Sequence, residues 1–205
     1  MKKLITSALI AGIAISAQAQ EFSLSDMGTP DPGRVIAGTY SLDPNHSHIV
    51  YDVNHFGISR YIGLIGSLSG KLQIDPKHPE KANVEIDIPL SGLTSTSAPL
   101  DAHLKTADFF DIEKFPTAKF RSDGVKVNGI DAVISGQLTI RDITKPVVLR
   151  ARLVGVTVNP MSGFLTAGFD ASTQIKRSDF GISYYVPFVS DEVELRISVA
   201  FEDTD

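Results

Sequence analysis

The chain of 205 residues contains no cysteine and no tryptophan. Without cysteine there is no disulfide, no thiol nucleophile, no thiolate metal site and no lipid attachment behind an export signal. Long apolar runs are also missing: no stretch reaches the about 20 residues needed to cross a bilayer as a helix. Basic residues are the minority charge, 19 Lys and Arg against 24 Asp and Glu for a net −5, and they form no cluster. That balance argues against binding nucleic acid or anionic lipid surfaces through charge. Neither a P-loop nor a G-x-G-x-x-G occurs, and Gly66-Ser67-Leu68-Ser69-Gly70 places leucine where a G-x-S-x-G elbow needs its nucleophile. The carboxylates fall mainly on the polar beats of strands or in turns, which a solvated face explains.

What the chain does contain begins with an export signal. Lys2 and Lys3, the apolar run Leu4 to Ile15 and Ala17-Gln18-Ala19 fit the charged, apolar and cleavage regions of a signal peptide over residues 1–19. Residues 20–37, with Asp26, Gly28, Pro30, Asp31, Pro32 and Gly33, read as a flexible leader. The folded domain is expected over 38–203, held together by burial alone.

Within the domain the pattern is a two-residue beat. Val193-Glu194-Leu195-Arg196-Ile197-Ser198-Val199 alternates apolar and polar without a break. Side chains on a strand point to opposite faces in turn, so one face is dry and the other wet. Roughly ten such runs follow one another, too many for a flat sheet to carry without curling. Asn128-Gly129 marks a tight hairpin between two of them. One stretch departs from the beat. Leu100, Leu104 and Ala107 fall at i, i+4 and i+7, which predicts a short helix near Leu100–Phe109 over one side of the sheet. The fold class is all-β: an antiparallel barrel with that one helix.

Two clusters could carry chemistry. His46-Ser47-His48 places two rings on one face of a strand, where His55 and His103 could complete a metal set. The preceding Asp43-Pro44-Asn45 reads as a turn, which favours histidines that hydrogen-bond and cap strand ends instead, and no metal is assigned. Arg177-Ser178-Asp179-Phe180-Gly181 puts a cation and an anion on one strand face. They fit an ion pair closing a barrel corner, or a polar contact for a ligand head group at a pocket mouth.

In order along the chain, several segments together resemble the YceI-like family of periplasmic polyisoprenoid-binding proteins. They are Asp43-Pro44-Asn45-His46-Ser47, Val53-Asn54-His55 with Gly57, and Asp101-Ala102-His103-Leu104 with Asp108-Phe109-Phe110-Asp111. Phe115-Pro116 with Phe120-Arg121-Ser122, Gly136-Gln137-Leu138-Thr139-Ile140 with Thr144-Lys145-Pro146-Val147, and Arg177-Ser178-Asp179-Phe180-Gly181 complete the set. The resemblance implies a lipocalin-like barrel of about eight main strands with an apolar tunnel that holds a long isoprenoid lipid, such as a polyprenyl lipid or quinone precursor. With that resemblance the tunnel is expected at Ile49, Tyr51, Val53, Phe56, Leu68, Leu72, Val84, Ile86, Ile88, Phe109, Phe110, Phe120, Leu138, Ile140, Phe169 and Phe180. His55, His103, Arg177 and Asp179 become the head-group candidates. The small residues Gly70, Ala132 and Gly136 favour a cavity over a solid core.

Departures from the family pattern bear on the ligand. Leu100 stands where the family often has arginine, which points to a less charged head group. Tyr40 replaces a frequent tryptophan, and Asp142 replaces a frequent glycine in a turn that aspartate can still form. The expected protein is a periplasmic carrier rather than an enzyme, without cofactor, without nucleic acid and without stable membrane insertion; a homodimer is compatible with the resemblance. Other readings of the same residues are a binder of amphiphiles such as fatty amides or lipophilic antibiotics, a metal-dependent lipid-modifying enzyme, and a filled structural barrel.

Overall fold

The computed structural model describes residues 23–24 and 27–204. The signal peptide read over 1–19 lies outside the described residues. Eleven strands and one α-helix follow in order: β1 Gly38–Leu42, β2 His48–His55, β3 Ser59–Ile65, β4 Ser69–Ile74, β5 Asn83–Pro89, β6 Leu93–Thr94, α1 Ala98–Leu104, β7 Thr117–Asn128, β8 Asp131–Ile140, β9 Ile143–Val158, β10 Leu165–Lys176 and β11 Glu192–Asp203. Every pairing is antiparallel. Eight strands close a barrel in the order β1-β4-β5-β7-β8-β9-β10-β11, because β1 also pairs with β11 through Leu42 and Phe201.

β11 serves two neighbours along one edge. Its last residues pair with β1, while Glu194–Ser198 pair with β2, which carries β3 and then the two-residue β6. The Asp43–Ser47 segment makes this possible. Asp43 donates its amide to the Ala200 carbonyl at 2.9 Å, and the Ala200 amide donates to the Ser47 hydroxyl at 3.1 Å. The hydrogen bonding of β11 therefore runs on across the jog between β1 and β2. The buried Asp43 carboxylate accepts from the Asn45 amide at 2.8 Å and from His46. Burial pushes this carboxyl up, but those two partners outweigh it and hold it below the usual carboxylate range. The first histidine of the H-x-H pair is thus a turn partner, and the second, His48, is exposed on β2.

Curvature comes from register breaks in β7, where Asp123 is the extra residue between Ser122 and Gly124, and in β9, where Val154 is the extra residue opposite Gly168–Phe169 of β10. Gly129 takes φ 61° at the first central position of the β7–β8 hairpin, a position that suits glycine. In the β8–β9 turn the left-handed residue is Arg141, at φ 59°, rather than Asp142.

Two differences from the sequence expectations concern small residues and the leader. Gly70 and Gly136 do not hollow out the interior. A Cβ on Gly70 would stand 2.2 Å from the Glu85 carbonyl oxygen, and one on Gly136 would stand 2.6 Å from the Phe120 ring. They let neighbouring strands and side chains approach closely; Ala132 does line the interior. Part of the leader is built into the barrel. Thr29 bridges Val156, Val35 is buried, and the fully buried Tyr40 donates its hydroxyl to the Ile36 carbonyl and accepts from the Ile36 amide. The polar composition of 20–37 hid this, because one valine and three backbone contacts suffice to seat it.

Candidate functional site

The barrel interior holds two adjoining chambers of about 360 and 420 Å³. Ile49, Ile88, Leu138 and Leu195 line both and form the waist between them. Alternation along the strands places each wall residue. β2 turns Ile49, Tyr51 and Val53 inward, β5 turns Val84, Ile86 and Ile88, and β8 turns Ile134, Leu138 and Ile140. The first chamber lies beside α1. Its wall takes Leu100 and Leu104 from the helix, Phe109 and Phe110 from the turns after it, and Tyr184, Tyr185 and Val189 from the loop before β11. The second chamber is walled by Leu68, Leu72, Phe120, Phe169 and the β11 residues Ile197, Val199 and Phe201, with Pro32 and Val35 of the leader beside them.

The helix is shorter than its spacing predicts. Ser97 caps it by accepting the Leu100 amide at 3.4 Å, and Pro99 sits in its first turn. After Leu104 the chain turns back, with the Phe110 amide donating to the Leu104 carbonyl, so Ala107 is exposed beyond the helix end. Asp101 ties the helix to its surroundings, accepting from the Ser95 hydroxyl at 2.6 Å and the Thr94 hydroxyl at 3.2 Å. The Ser95 bond holds its carboxyl below the usual range.

Of the expected tunnel residues, all but Phe56 and Phe180 line these chambers. The beat that turns Ile49, Tyr51, Val53 and His55 inward leaves Phe56 on the opposite parity, and β2 ends before it. That residue sits at the hairpin tip with φ 57° and half its surface exposed. Phe180 is buried in the core within a 3₁₀ turn, Arg177–Phe180, where strand geometry does not apply. The same turn overturns the expected Arg177–Asp179 pair: Asp179 is exposed and lines neither chamber. The buried Arg177 donates instead to four carbonyls, from Nε to Ser190 at 2.9 Å, from Nη1 to Ile182 at 3.1 Å and Tyr184 at 2.8 Å, and from Nη2 to Val189 at 2.9 Å. Four of its five N–H groups are engaged by one loop.

The polar groups that remain on the first chamber are few. His103 shares a hydrogen bond between Nε2 and Asp108 at 2.8 Å and sets its edge against Phe109 and Tyr184, with centroids 5.0 and 5.4 Å away. His55 lies 6.4 Å from the Tyr61 ring. Among the described residues, no three His, Cys, Asp or Glu side chains come together as a metal-binding set. No described helix is long and apolar enough to cross a membrane.

Tyr51 carries a buried hydroxyl with no hydrogen-bond partner. Its ring crosses to β3, where Gly63 leaves the space; a Cβ there would stand 2.2 Å from the hydroxyl oxygen. Burial, reinforced by the nearby Asp101 and Tyr61, pushes the phenol up to about 12. Replacing an unsatisfied buried hydroxyl with hydrogen removes its desolvation cost, so Tyr51→Phe should stabilise lipid-free protein by about 1 kcal/mol in chemical denaturation. A destabilised variant would reveal a partner for the hydroxyl.

Several wall residues escaped the sequence reading. Leu195, Ile197 and Val199 stood on the clearest beat of the chain, and their inward face was there to be read. Tyr184, Tyr185 and Val189 come from an irregular loop without periodicity, and only the uncharged run Ile182 to Ser190 marks it.

Fold and site together define an antiparallel barrel with an apolar interior large enough for a ligand. The YceI-like domain model matches residues 40–201, and the chain belongs to that family. It is 37% identical over 169 residues to a UPF0312 protein of Pseudomonas aeruginosa (strain LESB58), covering 82% of this chain and 88% of that one. Among solved structures, BcnA of Burkholderia cenocepacia superposes with a TM-score of 0.70 at 20% identity, covering 78% of this chain and 98% of its own. A polyisoprenoid binding domain from Saccharophagus degradans, implicated in plant cell wall breakdown, gives 0.61 at 13% identity, covering 80% and 98%.

Proposed function

We propose that the protein is a periplasmic carrier that holds one long isoprenoid lipid, a polyprenyl lipid or quinone precursor, along the two chambers. The observation that carries this reading is the continuity of apolar wall on both sides of the waist at Ile49, Ile88, Leu138 and Leu195. Chambers of this size lie in the range of small-molecule sites. Each buried CH₂ contributes about 0.8 kcal/mol, so the tail supplies the affinity. Binding needs no reacting group, and the apolar wall suffices for it. The export signal read at the amino terminus supports the compartment, and the polyisoprenoid binding domain of the same fold supports the ligand class.

Selectivity falls to the polar groups at the first chamber. Among the described residues Arg177 is the one Lys or Arg side chain in its wall, and four of its five N–H donors are already engaged; Leu100 adds none. A phosphate would therefore meet a guanidinium already committed to four carbonyls, at a high desolvation cost. His55, His103 and the tyrosine hydroxyls suit an uncharged head such as an alcohol or quinone. In competition against a bound fluorescent fatty probe, a polyprenyl alcohol or quinone should displace the probe at least about tenfold more effectively than the matching polyprenyl phosphate. Preference for the phosphate would reject the head-group assignment, and displacement by fatty amides alone would favour the amphiphile binder.

A further inference from the structure

A lipid held in the chambers enters and leaves through a mouth, and two loops meet beside the first chamber. The β2–β3 turn reads His55-Phe56-Gly57-Ile58, and the loop before β11 runs from Ile182 to Ser190. Neither contains a charged side chain, although 21% of the chain is charged. The loops are bound to one another. The Phe56 amide donates to the Phe188 carbonyl at 2.7 Å, the Ser190 amide donates to the Asn54 carbonyl at 2.9 Å, and the Phe56 ring stacks on Phe188 at 5.6 Å. Outward they present Ile58, Phe188, Tyr185 and Phe56, which are 83%, 62%, 55% and 50% exposed. Inward, His55, Tyr185 and Val189 of the same loops line the first chamber, so the exposed apolar patch is continuous with the cavity wall.

The backbone adds an independent observation. Phe56 at φ 57° and Tyr185 at φ 62° both occupy the left-handed region, which bulky side chains rarely adopt. A glycine or asparagine would make either turn at lower cost. Two aromatic rings are kept exposed at the mouth against both backbone preference and the hydrophobic effect.

We propose that this uncharged patch docks the barrel mouth onto a lipid bilayer, so that an apolar chain passes between membrane and chamber without crossing water. The inference rests on the carrier reading above. A second copy of the chain covering the patch would shut the mouth of both barrels, whereas a bilayer both covers the patch and dissolves the cargo. Tyrosine and phenylalanine suit the membrane interface, and a net charge of −5 gives no attraction to anionic lipid. Docking is therefore by apolar burial, without dependence on charge.

The test is co-sedimentation with phosphatidylcholine vesicles at low and high salt, for wild type and a Phe56→Ser, Ile58→Ser, Phe188→Ser triple variant. Wild type should sediment at both salt concentrations. The variant should partition at least about tenfold more weakly, while its unfolding temperature and its binding of farnesol added in buffer stay at wild-type values. Wild type that remains in the supernatant, or a variant that sediments equally well, overturns docking. So does a wild-type dimer that the substitutions dissociate in the absence of vesicle binding. Should the triple variant not fold, Ile58→Ser alone should weaken sedimentation several-fold, and an unchanged value overturns the proposal. Loss of farnesol binding by wild type with patch-dependent sedimentation intact would remove the carrier reading and leave docking standing.

Discussion

Leu138→Arg should leave the cell carrying at least about tenfold less lipid than wild type, with its β circular dichroism unchanged. Leu138 is at the waist and lines both chambers, so a side chain there meets any ligand long enough to occupy both. A guanidinium in that apolar ring loses its hydration unless water follows it, and water in the waist replaces the tail contacts that drive binding. Ile86→Arg, in the second chamber alone, should shorten the longest tail accepted while leaving short ligands bound at the first chamber. If the arginine at the waist unfolds the barrel, Leu138→Trp keeps the position apolar and fills it, and the same loss of long lipids is expected. Wild-type lipid content in a folded variant would mean that the ligand does not pass the waist.

Arg177→Ala should be the most destabilising single change in the loop region, on the order of 3 kcal/mol by chemical denaturation. The substitution strands four carbonyls that now share one guanidinium, at Ile182, Tyr184, Val189 and Ser190. Those carbonyls fix the loop that brings Tyr184, Tyr185 and Val189 to the first chamber, so amide exchange across 182–190 should rise and ligand affinity should fall with stability. Arg177→Lys should not rescue it, because an ammonium cannot span the spread of acceptors that the planar fork reaches. A loss below about 1 kcal/mol would show that the loop is held by its apolar contacts instead.

The same residue shows where sequence reading stops. Arg177 and Asp179 look like an ion pair if the chain is extended, since residues two apart share a face. The chain instead enters a 3₁₀ turn at Arg177, and the side chain's partners are backbone atoms of a loop downstream, which no pattern of residue types announces. Phe56 fails on parity: the beat that turns Tyr51, Val53 and His55 inward leaves it out, and it lies one residue past the end of β2. Where the chain is regular, the alternation was sufficient: Val84, Ile86 and Ile88 of β5 face the second chamber as their beat requires. The helix spacing located α1 but not its end, because Ala107 continues a 3.6-residue pattern that the return of Phe110 to the Leu104 carbonyl interrupts. Gly70 and Gly136 were read by size, whereas their role is set by the neighbouring strand.

The Asp43–Ser47 segment shows a motif whose meaning is structural. The Asp43 amide and the Ser47 hydroxyl carry the hydrogen bonding of β11 across the switch from β1 to β2, the Asp43 carboxylate holds the turn, and that switch lets β2 and β3 extend the wall around the first chamber. The chemistry of the site therefore depends on residues that never touch the cavity.

Lipid mass spectrometry on protein exported in a host cell, purified without detergent and then extracted, tests the carrier account most directly. The account predicts a single isoprenoid series at about one molecule per chain, filling one barrel. An extract without lipid, from a β-rich protein that also takes up no added isoprenoid, would contradict it and leave a filled structural barrel in its place.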